Sequence, residues 1–380
     1  MKVCMLSSVH PSDDSRIFYK QAAGLAQAGY DVSFIVRHDR EETVQDVRIL
    51  PLRRPANRFE RVLKTGWEVW KKALEADADV YHFHDPELIL IGLLLKMKGK
   101  TVIYDVHEDV PRQILSKHWI AKPLRKTISW LVEKLEHAAA RRFDAIVTAT
   151  AFIEKRFARF GKRVITVNNY PIMSEFGDLR PDAPKDHAVC YIGGISRERG
   201  IFEMVEAIAR TDIRLFLAGP VRRAADREEA AKREGWCRTD EFGQLTRQEV
   251  TELMARSKAG LVVEHPLVNY LDALPIKLFE YMAAGIPVIA SDFPLWRDIV
   301  EGANCGICVD PLKVEDIAEA LRWIVDHTEQ AAEMGRNGQS AIKERYNWNT
   351  QLNNMLQLYE VLANAGRTKR PRAKGVTLAE

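Results

Sequence analysis

A chain of 380 residues, 46% of them hydrophobic and 29% charged, is long enough for two domains of roughly 100–200 residues, each with its own core. A net charge of only +3 gives no overall polyanion-binding signature and argues against a nucleic-acid partner. No apolar run reaches the ~18–20 residues that cross a bilayer. The longest, Leu88 to Leu95, is followed at once by Lys96, Lys98 and Lys100.

The pass along the chain begins with Met1 to Leu6, which turns polar at Ser7 and Ser8. That is too soon for a secretory signal and reads as a first buried strand, so a cytoplasmic protein is expected. Further strands are predicted at Val32–Val36, Val80–Phe83, Thr101–Tyr104, Ala145–Thr148 and Val164–Val167. A second series is predicted at Ala188–Ile192, Arg214–Ala218, Gly260–Val263, Pro287–Ala290 and Gly306–Val309. Helical patterns alternate with them at Ile17–Ala28, Arg125–Arg142, Phe202–Arg210, Arg247–Ala255, Ile276–Ala284, Val314–Asp326 and Trp348–Ala363. Strands alternating with helices predict an α/β class with parallel sheets covered on both faces. Between the two series, Asn168–His187 has loop composition and reads as a hinge. The expected organisation is a Rossmann-like domain over 1–170 and a second over 186–345. A helix over 346–365 crosses back to the first domain, and a basic disordered tail occupies 366–380.

Several side-chain groupings stand out. Cys4 and Cys190 lie in strand patterns and read as core, Cys237 stands alone, and Cys305 with Cys308 lacks the second pair that metal or redox chemistry needs. His82, His84 and His107 sit near strand ends beside Asp85, Asp105 and Glu108. His82 and His84 alternate along a strand rather than following the i, i+4 zinc spacing, so no metal is expected. From Arg112 to Arg163 there are 13 Lys/Arg against 4 Asp/Glu. Within that stretch, Trp119 to Val132 mixes cations with Trp, Ile and Leu, and Trp67, Trp70, Lys71 and Lys72 repeat the chemistry earlier. Such a surface suits an anionic membrane leaflet or, equally, a solvated helix packed on its own sheet. The loop Ser7–Arg16 lacks Gly-x-Gly-x-x-Gly, which argues against a nicotinamide-dependent dehydrogenase.

The most informative stretch is Asp272-Ala-Leu-Pro-Ile-Lys-Leu-Phe-Glu-Tyr-Met-Ala-Ala-Gly-Ile-Pro-Val-Ile-Ala-Ser-Asp292. Pro275 suits a helix start and Gly285 a C-terminal cap. The free amides near Ala273 to Lys277, those of Ala273, Leu274, Ile276 and Lys277 around a Pro275 that has no N–H, would face an anion at the positive helix end, with Glu280 one turn later. A second candidate phosphate element is Gly193-Gly194-Ile195-Ser196-Arg197-Glu198-Arg199-Gly200, glycines after a strand with cations beside them.

The 272–292 segment resembles the donor-binding signature of the retaining glycosyltransferases of family 4, with the GT-B fold, in particular bacterial members that build cell-surface polysaccharide. The family's two acids, separated by seven residues, correspond to Asp272 and Glu280; Glu264 and Asp272 share the spacing. The resemblance implies two Rossmann-like domains with parallel sheets facing across a cleft. It also implies transfer, with retention and without a metal, from a UDP- or GDP-linked sugar to a saccharide or lipid-linked acceptor, with no separate cofactor. By the same resemblance Glu280 binds the ribose, Asp272 and His107 contact the donor sugar, and Arg199 and Lys277 stabilise the leaving diphosphate. Gly194 stands where the family has an arginine, with Arg197 a possible stand-in. Phe242 and Leu245 would hold the base, or serve as ordinary core. Asp13 and Arg16 would face the acceptor, or form a helix cap with a solvated arginine. A nucleotide-sugar epimerase or hydrolase, and a binding subunit without turnover, remain open alternatives.

Overall fold

The structure, a computed structural model, describes residues 1–54, 57, 60, 64–117, 120–177, 179–181 and 183–369. The chain divides into two compact units, Met1–Asn168 together with the segment from Asn349 onward, and Asn169–Trp348. Each is a parallel-sheet α/β domain of Rossmann type.

The first unit holds an eight-stranded sheet: β1 (Lys2–Pro11), β2 (Asp31–Arg37), β3 (Glu42–Val44), β4 (Val47–Leu52), β5 (Val80–Phe83), β6 (Thr101–Val106), β7 (Ala145–Thr148) and β8 (Val164–Thr166). Their spatial order is β3-β4-β2-β1-β5-β6-β7-β8, parallel except for β3 against β4. The β3–β4 hairpin was not foreseen. Its strands are short and carry Glu42 and Arg48, and it turns on Gln45 (φ 48°) and Asp46 (φ 60°) rather than on glycine. Aromatic rings fill the layer behind β5 and β6, with Phe83 stacked on Tyr104 at 4.6 Å and edge-on to Phe143 at 5.2 Å. The C-terminal helix Trp348–Lys369 belongs to this unit from Asn349 onward, and its Tyr359 hydroxyl meets His82 Nδ1 at 2.8 Å. The helix includes residues 366–369 of the sequence-defined tail; residues 370–380 lie outside the described residues.

The second unit holds six strands, β9 (Ala188–Ile192), β10 (Arg214–Ala218), β11 (Thr239–Gly243), β12 (Gly260–Val262), β13 (Val288–Ser291) and β14 (Gly306–Val309), in the order β11-β10-β9-β12-β13-β14, all parallel. Alternate residues feed opposite cores. Ala188, Cys190 and Phe216 join Leu278 and Met282 on one face, while Val189, Tyr191 and Leu215 join Met204 and Ile208 on the other. β11 escaped the sequence reading because it is an edge strand with Asp240, Glu241 and Phe242 turned partly to solvent.

Strand order decides where each unit can hold a ligand. In a parallel sheet that winds outward in both directions, a crevice opens at the C-terminal ends where the order reverses. That reversal falls between β1 and β5 in the first unit and between β9 and β12 in the second.

Two features of the fold give predictions. Gly260 on β12 lies under the Tyr281 ring, and an added Cβ would stand 2.2 Å from Tyr281 Cγ. Gly260→Ala should therefore lower stability by about 1–3 kcal/mol through overpacking; an unchanged urea midpoint would contradict it. In the first unit, the Asp14 carboxylate caps the helical segment Ser15–Ala22 by accepting from the amides of Arg16 and Ile17, and meets His10 Nδ1 at 3.1 Å. Burial disfavours the charged form of both groups. Burial is the largest single influence on each, but the mutual hydrogen bond together with the Asp85 and Asp14 charges at His10, and with the Ile17 amide and the His10 charge at Asp14, outweighs it, so His10 is raised above 6.5 and Asp14 is lowered to about 2. The His10 contribution is complete below 6.5 and is lost as pH rises through its raised folded value; that of Asp14 is complete above 3.8 and is lost as pH falls through about 2. His10→Gln should thus destabilise most below about pH 6 and progressively less at higher pH, measured by urea midpoints. A pH-independent difference would exclude this coupling.

Candidate active site

At the second unit's reversal point the chain leaves β9 through Gly193 (φ 140°) and Gly194, passes the turn Arg197–Arg199, and enters the helix Ile201–Ala209 through Gly200 (φ 78°). A Cβ on Gly193 would lie 3.4 Å from Arg199 Nη1 and 3.5 Å from Lys277 Nζ, so the glycine's bare face looks onto two cations. Beyond the end of β12, Glu264 receives both. Its Oε1 accepts from Lys277 Nζ at 2.9 Å and stands 4.0 Å from Arg199 Nε. Lys277 also donates to the Tyr191 hydroxyl at 3.2 Å and lies 4.5 Å from that ring's centre. Burial disfavours the charged form of Lys277; the Glu264 carboxylate, with Tyr191, outweighs it and holds the pKa above the ordinary lysine value. Two cations therefore share one carboxylate.

Lys277 lies in the first turn of the helix Ile276–Ala283, which Pro275 caps rather than opens. The amides of Ile276 and Lys277 precede the first intrahelical bond and face outward from the positive helix end. The donor row is shorter than the sequence suggests, because the Ala273 amide donates to the Tyr270 carbonyl, and the Ala273 carbonyl accepts from Trp296 Nε1 at 2.7 Å. One turn on, buried Glu280 accepts from Arg247 Nη1 at 2.6 Å, and Arg247 reaches Glu175 at 2.5 Å. Asp272 caps the C-terminal end of the short helix Val268–Leu271 and is half-buried. The lysine's acidic partner is thus Glu264, which sequence reasoning set aside. A carboxylate just past a buried parallel strand was the available signal. Arg247, Tyr191 and Arg222 were missed, since nothing in linear spacing connects them to the glycines.

The remaining positions are dispersed. Arg197 is exposed, its amide donating to Asp226 and its guanidinium 5.8 Å from the Phe202 ring centre. Phe242 is 39% exposed and edge-on to buried Phe216 at 5.5 Å, whereas Leu245 and Leu274 pack against the core.

In the first unit's reversal point the centre is Asp105, fully buried on β6. It accepts from Arg16 Nη2 at 3.1 Å and Gln21 Nε2 at 2.7 Å, and His82, His84 and His107 nitrogens stand 3.6, 3.7 and 3.4 Å away. Burial opposes its ionisation, but Arg16 leads the charges that hold it well below the usual carboxylate range. His84 Nδ1 and His107 Nε2 are 2.9 Å apart, and burial holds His84 well below its ordinary pKa and so neutral. His82, His84 and Asp105 each offer one atom within a 4.8 Å cluster, but Arg16 already neutralises the carboxylate, a poor setting for a cation. Arg16 is not solvated as the cap reading expects. It is 5% exposed and spans from Asp105 to the Val167 carbonyl, while the neighbouring cap is Asp14 and Asp13 remains exposed.

Residues 15–169 match the family model of the glycosyl transferase 4-like domain, and residues 180–341 that of glycosyl transferases group 1. The D-rhamnosyltransferase WbpZ of Pseudomonas aeruginosa is 24% identical over 285 residues, covering 72% of this chain and 71% of that protein. Among solved structures, sucrose-phosphate synthase from Thermosynechococcus elongatus aligns with a TM-score of 0.76 at 20% identity, over 96% of this chain and 99% of that one. Anabaena Alr3699/HepE, solved in complex with UDP-glucose, aligns with a TM-score of 0.70 at 15% identity, over 96% and 100%. With a glycosyltransferase domain family matched in each half and two Rossmann-type sheets, the chain is a glycosyltransferase of the GT-B fold.

Proposed function

We propose that this glycosyltransferase belongs to the retaining family 4 and takes its sugar from a UDP- or GDP-linked donor. The observation that carries the proposal is the charge imbalance at Gly193, where Arg199 and Lys277 share the single carboxylate of Glu264 beside a helix start. When the bond from the anomeric carbon to the diphosphate oxygen breaks, the electron pair leaves with the phosphate. Fixed positive charge there lowers the barrier without a metal ion. Glu280, oriented by Arg247, would accept hydrogen bonds from ribose hydroxyls. Asp272 would take sugar hydroxyls, and exposed Phe242 would flank the base. His107, held by His84 and Asp105, is assigned to a sugar hydroxyl. The likeness to a protein solved with UDP-glucose and to a rhamnosyltransferase supports the donor class.

The acceptor side rests on a different surface. The helix Lys122–Ala140 leaves Leu124, Trp130, Leu131 and Leu135 more than half exposed beside Lys122, Lys126 and Lys134. Trp119 lies outside the described residues. No helix among the described residues is long and apolar enough to cross a membrane. We assign this face to peripheral contact with an anionic leaflet that presents a lipid-linked saccharide acceptor, in polysaccharide or glycoconjugate synthesis.

Thermal shifts across nucleoside diphosphates test the donor site. UDP or GDP at about 100-fold over its Kd should stabilise the wild type by about 2.7 kcal/mol. Glu280→Gln and Lys277→Met should each remove that shift while circular dichroism stays native; unchanged shifts in both would remove the assignment. Product analysis with a labelled donor should then show transfer rather than hydrolysis or epimerisation. On vesicles, Trp130→Ser with Leu131→Ser and Leu135→Ser should cut flotation with anionic lipid several-fold. Flotation that ignores anionic lipid in the wild type would exclude the membrane assignment.

A further inference from the structure

We infer that Arg222 is a third diphosphate-binding cation, reaching the site through the space that Gly194 leaves by having no side chain. The inference rests on the donor reading above and adds a residue to it. Gly193 and Gly194 are glycine for different reasons. Gly193 has a φ of 140°, which L side chains rarely adopt, whereas Gly194 is outside the left-handed region and its backbone makes no such demand. What occupies the place of a side chain at 194 is Arg222. An ideal Cβ there would stand 2.7 Å from Arg222 Nε and 3.4 Å from its Cδ.

The backbone fixes this arrangement. The Ile195 amide donates to the Pro220 carbonyl at 2.9 Å, the Arg222 amide donates to the Ile195 carbonyl at 3.1 Å, and Ile195 bridges Val221 in parallel. The loop after β10 is thereby laid onto the loop after β9, one residue from the face that Arg199 and Lys277 occupy. Tyr270 joins these cations electrostatically. Burial raises its hydroxyl pKa, and the charges of Arg199 and Arg222 both oppose the rise. The neighbouring arginines are committed elsewhere: Arg223 pairs with Glu198 and Asp226, Arg227 pairs with Glu241, and Arg197 rests on Phe202. Arg222 is exposed and has no ion-pair partner among the described residues. Arg199, Arg222 and Lys277 against Glu264 leave two uncompensated positive charges, the balance that a doubly ionised diphosphate needs.

Calorimetric titration of the full chain with UDP, GDP and the matching nucleosides tests this. Arg222→Ala should weaken the preferred diphosphate about 10- to 100-fold, the effect of one charge-assisted hydrogen bond, and leave the nucleoside unchanged. Gly194→Ala should weaken the diphosphate by displacing Arg222, and should add little in the Arg222→Ala background. Gly194→Arg combined with Arg222→Ala returns a guanidinium to the same space and should recover most of the affinity. Equal diphosphate affinity for Arg222→Ala and wild type overturns the assignment alone. So does an equal loss for nucleoside and diphosphate, which would mark general damage to the fold. A wild type with no affinity for any nucleoside diphosphate overturns the donor reading, and this assignment with it.

Discussion

The second unit depends on one buried contact, the ammonium of Lys277 against the carboxylate of Glu264. Taking both charges out of water is costly, and Coulomb attraction at 2.9 Å offsets that cost only because further hydrogen bonds complete the shell. Tyr191 provides one such bond and Arg199 lies at the edge of contact. The arrangement ties strand β9, strand β12 and the helix Ile276–Ala283 to one point at the reversal of strand order. Replacing the pair with apolar residues would preserve packing and remove the charge. The buried pair therefore adds little to stability and fits the donor role proposed for the site.

The first unit solves a similar problem with the opposite sign. Asp105 is the buried charge, and Arg16, Gln21 and three histidines surround it. Arg16 reaches it from the helical segment Ser15–Ala22, which has π-type winding: the Tyr19 amide bonds the Asp14 carbonyl five residues back. Asp14 caps this segment and meets His10 at the end of β1. His107 is left half-buried with its ring oriented by His84 and Asp105, a geometry suited to hydrogen bonding and poorly suited to a cation.

Much of the fold was legible because both faces of most strands are buried, which writes continuous apolar runs such as Ala188–Ile192 and Val288–Ser291 into the sequence. Legibility failed at the edge strands β3 and β11 and at β4 beside β3, which carry charge on a solvent face. The glycines and cations of the second unit could be named in advance, as could their neighbourhood, because a strand–glycine–helix pattern has few structural solutions. Their partners could not be assigned: Glu264 shares the acid spacing without being singled out, Arg247 opens the helix Arg247–Arg256 and Arg222 lies in the loop after β10, and which of these meets the glycines depends on strand order, something no local spacing encodes. Arg16 misled for the same reason: its partner Asp105 lies 89 residues away.

Tyr281 joins these parts mechanically. Its hydroxyl accepts the Ile192 amide at 2.9 Å, immediately before Gly193, and its ring covers Gly260 on the adjacent strand. Residue 281 stands one turn beyond Lys277 on the same helix, so the glycine loop and the cationic helix start are braced by a single rigid aromatic strut. The separation between the charges is therefore set during folding, and the diphosphate of the proposed donor would meet a gauge already cut to size, with none of its binding energy diverted to assembling one.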